Sequence, residues 1–182
     1  AKTMALSKVS LHISAGQRVG IFGPTGSGKT TLATIMALIE PCPSGCVFYN
    51  DVDVTTVQVS SLREQIALVS QRRFLFSNSV RDTVGFSNPN HITDQARTDA
   101  ATRACVIDGI LGFPNQWDTM VGEKGIMVSG GQQHRLALAR AYASSHQVLI
   151  LDDVLASVDH HTEQRMIQGF FASTPTIIMI SH

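Results

Sequence analysis

Gly23-Pro24-Thr25-Gly26-Ser27-Gly28-Lys29-Thr30 fits the pattern G-x-x-x-x-G-K-[ST]. It follows a short apolar run at 19–22 and opens a helix-like stretch at 29–39 that stops before Pro41. Glycines let a backbone curl until its N–H groups face one anion, and the start of a helix adds the positive end of its dipole. Lys29 supplies a point charge for terminal phosphates, and the Thr30 hydroxyl suits Mg2+. Gly23, Pro24, Thr25, Gly26, Ser27, Gly28, Lys29, Thr30 and the following Thr31 are therefore the expected nucleotide-phosphate contacts. A glycine-rich turn before a helix would not account for the lysine or for the strand in front.

Working outward, residues 6–13 alternate apolar and polar, which predicts a half-buried strand. Residues 47–49 read as a strand with a turn at Asn50-Asp51, and 66–69 as another short strand. Residues 93–111 and 132–144 read as helical. The runs 148–151 (VLIL) and 176–180 (TIIMI) lack alternation, as strands covered on both faces do, and a helix-like stretch at 162–171 separates them. Short apolar strands alternating with helices predict an α/β fold with a mainly parallel core sheet. An antiparallel β edge and an inserted helical sub-domain complete the expectation, because 72–145 holds no convincing strand. The expected division is 1–71 and 146–182 for the binding core and 72–145 for the sub-domain.

The 182 residues are 43% hydrophobic and 15% charged, which is a globular composition. The formal net charge of zero gives no global pull toward nucleic acid or an anionic membrane. Neither a signal peptide nor an apolar run of membrane-spanning length, about 18 residues, is visible, so any membrane-spanning part is expected outside this chain. Cys42, Cys46 and Cys105 lack further ligands at zinc-finger spacing and read as reduced thiols in a cytoplasmic setting.

Two more clusters carry chemistry. Asp152 and Asp153 end the run 148–151, and in such sheets ligands bind beyond the carboxyl ends of the strands. Asp152 suits the Mg2+ sphere; Asp153 suits the orientation or deprotonation of an attacking water, or either caps a following helix. Val128-Ser129-Gly130-Gly131-Gln132-Gln133-His134-Arg135 opens a helix, with Ser129 as its cap and further N–H groups for an anion. One nucleotide does not need two cradles, so the second makes sense against a nucleotide held by another subunit.

The series GPTGSGKTT, VSQ, VSGGQQHRLALARA, VLILDD, SVD and ISH resembles the ordered motifs of the ATPase domains of ABC transporters, which have the P-loop NTPase fold. The resemblance spans nearly the whole chain. It implies ATP and Mg2+ as cofactors, with Thr30, Gln71 and Asp152 around the metal. It implies catalytic roles for Asp153, for Gln71 of the Q-loop and for His182 as the switch histidine. Ser129, Gly130, Gly131 and Gln132 would form the signature motif and, with Asp159 of the D-loop, act on the ATP of the opposite protomer. Residues 74–82 and 118–125 resemble exporters rather than importers. The implied function is ATP hydrolysis that powers export across a membrane, from its cytoplasmic face. The implied partners are a second nucleotide-binding domain and a transmembrane domain, with no nucleic acid.

Three departures qualify that resemblance. Asp153 stands where the family usually has Glu; the D-loop reads Ala156-Ser157-Val158-Asp159 rather than Ser-Ala-Leu-Asp; and no aromatic precedes Phe22 to stack on adenine. The missing aromatic and the stop at His182, where the family continues, make the chain read as a fragment trimmed at both ends, and Asp153 makes it read as the degenerate half of a heterodimeric exporter. A non-transport relative in DNA repair or translation is the alternative, though Gln132 stands where those usually have Glu. A regulatory module with little turnover is the third reading.

Overall fold

The computed structural model describes residues 6–72, 75–86, 92–123, 125–156, 158–171 and 176–182. In chain order the elements are β1 (Arg18–Phe22), α1 (Lys29–Met36), β2 (Phe48–Tyr49), β3 (Val52–Asp53), α2 (Val59–Arg63) and β4 (Ile66–Val69). They continue with β5 (Asn78–Ser79), α3 (Val80–Gly85), α4 (Asp94–Arg103), α5 (Ile107–Leu111), β6 (Met120–Val121) and α6 (Gly130–Tyr142). The last are β7 (Val148–Asp152), α7 (His160–Phe171) and β8 (Thr176–Ser181). Among the described residues no helix is long and apolar enough to cross a membrane. The chain forms two compact units: 1–68 with 146–153 and 174–182, and 69–145 with 154–173.

The first unit is built on a sheet of order β1-β8-β7-β4, in which β8 runs parallel to both β1 and β7. The expected parallel α/β core is therefore present. Leu149, Ile150 and Leu151 are fully buried, which is why this segment shows no alternation. Helix α1 packs on β7 and β8 through Ala33 and Ala37, against Ile150, Ile178 and Ile180. Burying one such isoleucine is worth about 1.5–3 kcal/mol. Helix α1 stops earlier than its apolar pattern, because Leu38 turns left-handed (φ 57°) and the Ile39 amide returns to the Thr34 carbonyl at 2.9 Å.

The expected turn at Asn50-Asp51 is present. Both residues have positive φ, 50° and 62°, the geometry that joins the antiparallel strands β2 and β3 by a two-residue hairpin. The strand expected at 6–13 is not formed. Lys8 is left-handed at φ 50°, which breaks an extended run, and Val9 and Leu11 are half exposed. Among the described residues, β2-β3 and β5-β6 form two antiparallel two-stranded pieces.

In the second unit α6 packs against α3 and α4, and α4 against α7. Small side chains permit the close approaches: Ala100 and Ala101 of α4 are buried, and a Cβ on Gly169 of α7 would meet the Arg103 carbonyl at 2.8 Å. The Arg103 guanidinium lies 4.1 Å from the Tyr142 ring centroid, and burial pushes the Tyr142 phenol upward. Two expectations need correction here. The helix expected over 93–111 is two helices, because Cys105 is left-handed (φ 53°) and the turn lets Val106 and Ile110 be buried. The stretch 72–145 does contain strands: β5 and β6 pair antiparallel, Asn78 opposite Val121.

Candidate functional site

The parallel register brings distant residues to one edge of the first unit. Phe22 at the end of β1 lies opposite Ser181 of β8, and Asp152 at the end of β7 lies opposite Ile180. The loop that starts at Gly23, the pair Asp152-Asp153 and His182 therefore all leave the sheet at its carboxyl end. Neither local propensity nor spacing produces this convergence; the ladder does.

The loop has the backbone the chemistry requires. Gly26 and Gly28 have φ of 81° and 89°, a region that side chains other than glycine rarely enter. Gly28 is the residue before α1, and no side chain caps that helix start. The first backbone amides of a helix have no acceptor within the helix, so an anion is the partner this geometry suits.

Lys29 is 7% exposed, and its ammonium donates to the carbonyls of Gly23 at 2.6 Å and Pro24 at 2.9 Å. His182 Nδ1 is 3.2 Å from the same ammonium. An ammonium only donates, so Nδ1 is the accepting nitrogen and Nε2 carries the proton. That Nε2 lies 3.5 Å from Asp153 Oδ2. Asp153 is itself left-handed (φ 55°), 8% exposed, and its amide is anchored to the Ile180 carbonyl at 2.9 Å. Lys29, His182 and Asp153 form one polar chain, joined across 153 positions of sequence at its Lys29–His182 link.

The oxygen donors Thr30 and Asp152 fit a hard cation such as Mg2+, which takes one or two protein oxygens and completes its shell with phosphate and water. Asp152 is 2% exposed at a strand end, where a second charge is needed to balance it. Among the described residues no cluster of three His, Cys, Asp or Glu could cage a metal by protein ligands alone, and the cysteines are free thiols.

Gln71, Ser129, Gly130, Gly131, Gln132 and Asp159 lie in the second unit. Ser129 and Gln132 form a reciprocal capping box: the Gln132 amide donates to Ser129 Oγ at 3.2 Å, and the Ser129 amide donates to Gln132 Oε1 at 2.9 Å. The amides of Gly130 and Gly131, in the first turn, lack acceptors within the helix and remain the donors for an anion. Gln71 is exposed, but its carbonyl is 3.2 Å from Nε2 of the buried His134 of α6. Asp159 immediately precedes α7, accepting from the Thr162 amide at 3.0 Å, and that bond lowers its carboxyl pKa. Phe74 and Lys124 of the exporter-like stretches, and Ser157 of the D-loop, lie outside the described residues. His134 was passed over in the sequence, although a histidine one turn before Leu138 in an apolar-patterned helix is a signal.

Fold and loop together define a P-loop α/β protein. The chain belongs to the ABC transporter family, whose family model matches residues 6–156. It is 39% identical over 180 residues to the multidrug resistance-like ATP-binding protein MdlA of Escherichia coli, covering 98% of this chain and 30% of that protein. It is 35% identical over 181 residues to the ATP-dependent lipid A-core flippase of Shewanella oneidensis, with coverage of 98% and 30%. A bacterial Atm1-family ABC exporter solved with ATP bound superposes with a TM-score of 0.90 at 30% identity, over 98% of this chain and 31% of that one. The chain thus spans about 30% of the length of these relatives.

Proposed function

We propose that this chain is the ATP-binding and ATP-hydrolysing module of an exporter, working from the cytoplasmic face of a membrane. The observation that carries the reading is the loop at 23–30: two left-handed glycines, an uncapped helix start and a buried lysine aimed back into the loop. The names of the relatives support export as the purpose. We assign the triphosphate to Gly23, Pro24, Thr25, Gly26, Ser27, Gly28, Lys29, Thr30 and Thr31. Phosphate oxygens would replace the carbonyls of Gly23 and Pro24 as acceptors for Lys29, an exchange of like for like.

Mg2+, when bound, neutralises phosphate charge and orients the terminal group. Thr30, Asp152 and Gln71 would hold it. Asp153 orients the attacking water and accepts its proton. His182 holds its proton on Nε2 toward Asp153, which keeps Nδ1 as the acceptor for Lys29, and it would contact the terminal phosphate when ATP is bound. Ser129, Gly130, Gly131, Gln132 and Asp159 would close on ATP held by a second nucleotide-binding domain. Residues 72–145 would serve as the inserted sub-domain that meets the transmembrane partner. The names of the relatives do not favour the non-transport or the regulatory reading.

The test is Lys29→Ala with MgATP binding measured by calorimetry. One charge-assisted hydrogen bond is worth about 1.5–3 kcal/mol, so the dissociation constant should rise by about 10- to 150-fold. Unchanged affinity would remove the assignment.

A further inference from the structure

We propose that His134 is a positioning residue that ties the segment of Gln71 to helix α6, so that the glutamine and the helix start at Ser129 move as one body. This rests on the reading of Gln71 given above. His134 is 3% exposed, one turn before the fully buried Leu138. Its Nε2 is 3.2 Å from the Gln71 carbonyl oxygen, across 63 positions of sequence. A carbonyl only accepts, so this nitrogen must carry the proton.

The segment is held on both sides of that bond. Val69, before it, is 2% exposed, and Ser70 Oγ donates to the Arg72 carbonyl at 3.0 Å. The helix start is equally fixed: by the capping box, and by Gln133 Nε2, which donates to the Val128 carbonyl at 3.2 Å. The result is a backbone pinned at Gln71 beneath an exposed side chain. A ligand that must reach an ion repeatedly needs such a root, because side-chain reach cannot correct a drifting backbone.

A histidine that merely filled the core would leave the loop indifferent to its chemistry. Shape and hydrogen bonding can therefore be separated. His134→Gln keeps a donor at similar reach, whereas His134→Leu keeps bulk and removes the donor. With the chain paired with itself, H134L should lower kcat by about 10- to 100-fold, the cost of misplacing a catalytic group by about 1 Å. KM for ATP should stay within about twofold, because the phosphate loop is untouched, and H134Q should retain kcat within about threefold. Equal kcat in H134L and the natural chain overturns the proposal, and so does a loss in H134Q as deep as in H134L.

Gln71→Ala distinguishes the failures. Slow turnover there beside normal turnover in H134L overturns the positioning role alone. Normal turnover in Q71A overturns the reading of Gln71 and the positioning role with it. A measurement on the unaltered chain needs no variant to fold: long-range nitrogen–proton NMR of the imidazole at neutral pH should show His134 protonated on Nε2. A proton on Nδ1 with a bare Nε2 overturns the tether.

Discussion

Asp153→Glu tests how far side-chain reach limits this site. Asp and Glu have similar pKa values, so basicity barely changes. Reach changes by one C–C bond, about 1.5 Å. The backbone cannot supply that distance easily, because the Asp153 amide is fixed to the Ile180 carbonyl at 2.9 Å. The carboxylate is also only within 3.5 Å of His182 Nε2, so it approaches that partner without closing on it. A displacement of about 1 Å can cost on the order of a hundredfold in rate, or about 2.7 kcal/mol of barrier. A cost opposes the gain. Asp153 has φ 55°, a conformation that Asp tolerates and a longer side chain tolerates less. A penalty of about 1 kcal/mol would lower the melting temperature by about 2–4 °C. The expected variant is therefore slightly less stable and at least about tenfold faster in kcat, with nucleotide affinity unchanged. The assay is phosphate release by the self-paired chain at saturating MgATP, with thermal unfolding in parallel. Such a gain would support a weak site of its own and a natural partner of different sequence that carries the glutamate; equal rates would refute the reasoning.

Ser129→Arg should leave MgATP binding to the chain's own loop intact while abolishing the concentration-dependent turnover, because bulk and charge in the second cradle block closure of the pair; a natural chain whose specific rate is independent of its concentration would contradict the shared site. The variant also loses a helix cap, worth about 1 kcal/mol, so its stability should be measured alongside. Asp53 accepts from the Thr55 and Gly45 amides and from the Ser44 and Thr55 hydroxyls, which hold its carboxyl well below the usual carboxylate range. A depressed folded-state pKa contributes stability above the unfolded value, about 3.9, and that contribution disappears as pH falls through the folded value. Asp53→Asn should therefore flatten the acid limb of a denaturant-midpoint profile below about pH 4, and parallel profiles would show that the bonds do not persist in solution.

What could be read from the sequence was local. The glycine loop was legible because left-handed φ at Gly26 and Gly28 is a property of residues without a Cβ, whatever surrounds them. The hairpin at Asn50-Asp51, the cap at Ser129 and the buried strands near 148 and 176 were legible for the same reason: each is decided by near neighbours or by composition. Alternation at 6–13 was not enough, because a period of two needs a neighbouring ladder, and the left-handed Lys8 breaks the run. The helix over 93–111 was divided by a left-handed Cys105, which no propensity marks. The contacts that matter most to the proposed chemistry belong to tertiary structure alone. His182 meets Lys29 across 153 positions because β8 runs parallel beside β1. His134 meets Gln71 across 63, in the unit where α6 packs on α3 and α4. A single chain records which residues can donate and accept, but their distances follow from strand register and helix packing, which depend on every other segment having folded.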